Sequence, residues 1–144
     1  MIRPQWIACI AAAGLLGAAP SPASQTPETP PGEGVICAWA IYSVLDEVGR
    51  RCTSNASPEM KAEIRHAVEA LDAYVMTNAA LTADQVHQFK VQQGGAETPD
   101  AMLCGGDALG MLEHTQANVS PAELRASVDA LVARPGEPTW GTCL

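Results

Sequence analysis

Ser57-Pro58-Glu59-Met60-Lys61-Ala62-Glu63-Ile64-Arg65-His66-Ala67-Val68-Glu69-Ala70-Leu71-Asp72-Ala73-Tyr74-Val75 holds a helix start and a helix face in one uninterrupted run. Ser57 supplies a hydroxyl that can accept from an orphan backbone N–H. Pro58 stands at the first helical position, where its missing N–H costs nothing. Met60, Ile64, Ala67, Val68, Leu71 and Val75 then recur at helical spacing and form one apolar stripe. The run predicts a helix to about Thr77.

The same grammar repeats on both sides. Upstream, Cys37, Ile41, Val44, Leu45 and Val48 share helical spacing, Trp39 and Tyr42 widen the face, and Gly49 is a candidate terminator, so a helix is expected over residues 35–50. Downstream, Thr82-Ala-Asp-Gln85 is a capping box with Leu81 and Val86 placed as its staple, and a short helix should end near Gln92, before Gly94-Gly95. Thr98-Pro99-Asp100 opens a fourth helix carrying Met102, Leu103, Leu109, Met111 and Leu112, with Gly105-Gly106 as a kink inside it. Ser120-Pro-Ala-Glu123 opens a fifth, stapled by Val119 and Leu124, which ends before Pro135-Gly136. The expected fold is all-α, a compact bundle of about five short helices over residues 35–144. Glu63–Ala73 resembles Glu123–Ala133 in sequence, and shared amphipathic composition explains this better than a duplicated hairpin, because a repeat needs more than one shared helix.

The first 34 residues read differently. Arg3 gives a basic start, Trp6 to Ala19 is apolar and uncharged, and small residues follow to Ser24. The apolar run falls short of the roughly 20 residues that span a bilayer, so residues 1–23 read as a cleaved signal peptide with a periplasmic or secreted product. Cys9 lies at the front of the apolar run, the wrong side for lipid attachment. Residues 24–34, rich in Pro, Thr, Glu and Gly, lack large apolar side chains and read as a disordered linker.

Loss of Arg3 with the leader leaves seven basic residues against 16 acidic ones, a net charge of −9. Such a surface repels phosphates, so no nucleic-acid partner is expected, nor stable membrane insertion once the leader is gone. Cys37, Cys52, Cys104 and Cys143 remain, an even count in an oxidising compartment, and the spacing contains no Cys-x-x-Cys. Cys37 and Cys52 bracket one helix of about 22 Å, whereas a disulfide needs Cα atoms roughly 4.4–6.8 Å apart. The expected bridges are Cys52–Cys104 and Cys37–Cys143. The pairing Cys37–Cys104 with Cys52–Cys143 stays open.

Chemistry-bearing motifs are sparse. Glu63-x-x-His66 and Asp84-x-x-His87 have the spacing of di-iron bundle ligands, yet helical geometry puts Glu63 about 80° and His66 about 140° from the centre of the apolar stripe. Both histidines should face solvent or the rim, and no metal or other cofactor is expected. No Gly-x-Ser-x-Gly elbow, phosphate loop or haem-attachment motif is present. The sequons at Asn55 and Asn118 coincide with the serine helix starts. No catalytic residue is assigned. A non-catalytic binding role is expected, toward a partner protein or an apolar small ligand, with a small hydrolase as the alternative. Trp39, Tyr42, Met111 and Trp140 are the candidate binding surface. Convergence of these four on an open groove would favour a ligand, and a closed core would favour a partner or a structural role.

Overall fold

A computed structural model describes residues 29–141. Six helices and no strand occur among them: α1 Val35–Arg51, α2 Pro58–Asn78, α3 Ala83–Gln92, α4 Asp100–Leu103, α5 Asp107–Asn118 and α6 Pro121–Val132. The expected signal peptide lies outside the described residues, as do residues 24–28 of the expected linker. Thr29 to Gly34 are not free chain. Pro30 O accepts from Glu33 N, and Gly32 O accepts from both Val35 N and Thr139 N. A Cβ on Gly136 would sit 2.6 Å from Pro31 O, so glycine is what lets the tail lie against this turn.

The helix starts form as their side chains dictate. Ser57 Oγ accepts from Met60 N at 3.1 Å. Thr82 with Gln85 and Ser120 with Glu123 close reciprocal capping boxes. α2 is the central element, and its whole predicted stripe is buried, with Tyr74 in addition. α1 lies antiparallel to it: Asp46 pairs with Arg65, and further back along α1 Trp39 reaches forward to Asp72. α6 runs parallel to α2 on its other side, since Glu63 meets Arg125, His66 meets Asp129 and the Tyr74 hydroxyl meets Arg134 O. α3 packs on both α1 and α2, and α5 packs on α1. No helix of the described residues is long and apolar enough to cross a membrane.

Two expectations need correction. Gly49 does not end the first helix. α1 continues to Arg51 and stops where Cys52 turns extended at φ −104°, ψ 147°. The predicted fourth helix is two helices, which is why six occur instead of about five. α4 is a single turn, and Gly106 is extended at φ −106°, ψ −168°. A Cβ on Gly105 would meet Ala101 O at 2.8 Å, so the glycine pair turns the chain instead of kinking a continuous helix. Thr98 does not cap α4; its hydroxyl donates to Gly94 O. Met102 of this turn is 69% exposed.

Cys52 and Cys104 form a disulfide with Cα atoms 5.4 Å apart. This pair excludes the alternative connectivity. Cys37 is disulfide-bonded as well, and Cys143 lies outside the described residues.

Candidate functional site

The four candidate surface residues separate into two places. Trp39 is 1% exposed. Its ring stacks on Phe89 of α3, centroids 3.9 Å apart and planes 4° from parallel. Its Nε1–H donates to Asp72 Oδ1 at 2.7 Å, while Lys90 Nζ donates to Asp72 Oδ2 at 2.5 Å. Asp72 thus ties α1, α2 and α3 together. Trp140 is 54% exposed and tilts against the far side of this aromatic group, 6.4 Å from Phe89. The Trp39 indole N–H is satisfied and its ring is covered, so this residue belongs to the core.

Tyr42 and Met111 line a different feature, a groove where α5 packs on α1. α5 fully buries only Leu112, so much of the facing surface of α1 remains partly open. One cavity of about 270 Å³ is lined by Ala40, Ile41, Val44, Gln93, Ala108 and Met111. A second of about 320 Å³ is lined by Ile41, Tyr42, Leu45 and Met111 from its apolar side. His114, Thr115, Asn118 and Val119 complete it. Ile41 and Met111 belong to both cavities, so the two adjoin at these side chains. Volumes of this size fall at the lower end of small-ligand sites.

The polar groups of the groove are mostly engaged within α5. Thr115 Oγ1 donates to Met111 O and Asn118 Nδ2 donates to His114 O. The His114 ring lies against Asn118, with Nδ1 at 3.2 Å. Tyr42 differs. It is 7% exposed, and burial pushes its phenol above the ordinary tyrosine value by desolvating the ionised form. Its hydroxyl takes part in no hydrogen bond among the described residues.

The carboxylate–histidine pairs lie apart from the groove and from each other. Glu63 pairs with Arg125 and His66 approaches Asp129, both across the α2–α6 seam. His87 pairs with Glu97 at the surface. No group of three or more His, Cys, Asp or Glu residues able to hold a metal occurs among the described residues. No described serine, threonine or cysteine hydrogen-bonds to a histidine; the histidine partners are Asp129, Glu97 and Asn118.

Sequence reasoning missed Asp72 and Phe89 as partners of Trp39. The available signal was weak: Asp72 sits about 40° around α2 from Val68, at the edge of the apolar stripe. It also missed that Ile41 and Val44 are only partly covered, because that depends on how little α5 buries. Compared with known proteins, the chain matches no family model, no curated protein and no solved structure.

Proposed function

We propose that this protein is an exported, non-catalytic binding protein that holds an apolar small ligand in the α1–α5 groove. The observation that carries the reading is the pair of adjoining cavities at Ile41 and Met111, walled chiefly by aliphatic side chains and open to solvent. Apolar concavities with a few polar groups are the ordinary form of a ligand site.

Export is supported by the leader-like residues 1–23 and by the oxidised cysteines. The second bridge in this reading is Cys37–Cys143. It is supported by the return of the C-terminal tail to the start of α1: Thr139 O accepts from Ile36 N, and a Cβ on Gly141 would meet Gly34 N at 2.5 Å. That brings the chain within two residues of Cys143 to within three residues of Cys37.

The test is titration of the oxidised protein with an uncharged fluorescent naphthylamine whose emission rises in apolar surroundings. Saturable binding that is lost in Met111→Glu supports the reading. Met111 is 41% exposed, so the charge should block the groove without unfolding the protein. Binding that survives this substitution, or no binding, favours the groove as a seat for a partner protein's side chains.

A further inference from the structure

We propose that the groove takes an uncharged single-chain amphiphile, with its alkyl tail against Ile41, Val44 and Met111 and its polar head accepting a hydrogen bond from the Tyr42 hydroxyl. The inference rests on the groove being the binding site and adds the chemical class of its ligand.

Tyr42 supplies the first argument. More than nine-tenths of the residue is buried, it lines the cavity, and its hydroxyl has no protein partner among the described residues. The hydroxyl oxygen itself is not sealed from solvent, so it faces the cavity and can exchange water for an acceptor on a ligand. Since its phenol titrates above the ordinary tyrosine value, the group is a proton donor throughout the physiological pH range. Thr115 and Asn118 donate to carbonyls of α5, and Gln93 lines the other cavity, so Tyr42, with His114 beside it, is placed to meet the head.

Charge supplies the second. No lysine or arginine lines either cavity. Arg50, Arg51, Arg65 and Arg125 are paired with carboxylates elsewhere, and Lys90 with Asp72. His114 is the one lining group able to take up a proton; with no lysine or arginine there, an anionic head would enter a largely apolar site on a chain of net charge −8. A neutral ester, amide or alcohol meets no such cost.

Shape supplies the third. The cavities are strung along α5 from Ala108 to Val119, about 16 Å of helix, which suits an extended chain on the order of a dozen carbons.

Displacement of the bound naphthylamine from the oxidised protein tests the inference, using dodecanoyl glycerol and dodecanoate at neutral pH. Dodecanoyl glycerol should displace the probe, with dodecanoate weaker by roughly tenfold or more. Tyr42→Phe should weaken dodecanoyl glycerol roughly two- to tenfold relative to that variant's own probe affinity, the worth of one hydrogen bond, with helical content as in the parent. Equal binding of dodecanoate, or of dodecanoyl glycerol to Tyr42→Phe, would overturn the head-group assignment and leave the groove standing. Displacement that persists in Met111→Glu would overturn the groove itself.

Discussion

Asp72→Ala offers a severe test of how the helices are held. The carboxylate accepts from the buried Trp39 Nε1 and from Lys90 Nζ. The ion pair is partly wet, with the two side chains 22% and 25% exposed, and pairs of that kind contribute up to about 1 kcal/mol. The indole N–H is the larger matter. Trp39 is stacked under Phe89 and cannot reach solvent without moving, so its loss of an acceptor costs about 1–3 kcal/mol. Asp72→Ala should therefore destabilise the oxidised protein by about 1–4 kcal/mol. At a urea dependence of about 2 kcal/mol/M, the midpoint falls by roughly 0.5–2 M. Asp72→Asn keeps an acceptor at Oδ1 and removes only the charge, so it should cost about 1 kcal/mol or less. Urea unfolding followed by circular dichroism measures both. If Asp72→Asn costs as much as Asp72→Ala, the charge and not the indole bond holds the three helices. If Asp72→Ala stays within about 0.5 kcal/mol of the parent, the tie carries no stability at all.

Other outcomes follow from the same structure. Leu112→Ala empties the one fully buried position of α5 and should cost about 2–5 kcal/mol, with amide exchange rising first in α5. Removing Cys52–Cys104 by the paired substitution Cys52→Ser and Cys104→Ser opens a loop spanning 52 residues and should remove about 4 kcal/mol in the chain-entropy account, read as a fall in melting temperature without reductant. Ser120→Ala should cost about 1 kcal/mol through loss of the α6 cap. Glu123, accepting from the Ser120 side chain and backbone, titrates below the ordinary carboxylate value. A carboxylate lowered in the folded state stabilises above its unfolded pKa and loses that contribution as pH falls through the folded pKa. Ser120→Ala should thus make the acid side of the stability curve shallower below about pH 4.5, measured by melts in an acid series.

What could be read from the sequence was what local chemistry decides. The α2 stripe is visible because each member follows the 3.6-residue period and each is buried for the same reason. The starts of α2, α3 and α6 are visible because a cap hydroxyl and the backbone N–H that donates to it lie within four residues. The break at Gly105-Gly106 is only half visible: glycine pairs permit a kink or a turn, and the choice falls to the tether at Cys104 and to the close approach of Ala101 O. Trp39 is misjudged as a surface candidate because its partners, Asp72 and Phe89, lie 33 and 50 positions away and belong to separate helices. Met111 and Tyr42 are identifiable as apolar residues of their helices, but their meeting in one groove depends on the placement of α5.

That placement accounts for why a groove exists at all. α1 and α2 meet along their length, and α6 covers the other side of α2, so these three helices satisfy one another's apolar faces. α5 cannot do the same for α1. Its apolar residues Ala108, Leu109, Met111 and Leu112 are clustered in its first half, while Glu113, His114, Thr115, Gln116 and Asn118 crowd the second. Gln116 binds Asn55 O and the backbone N–H of Ser57, and Cys104 is fixed to Cys52. The segment is therefore pinned at both ends of α5 to the loop that joins α1 to α2, with one leucine seated fully between. Two anchors and a small apolar face hold a helix against α1 without filling the space beneath it. Ile41 and Met111 line both cavities, and the polar second half of α5 supplies the rim through His114, Thr115 and Asn118.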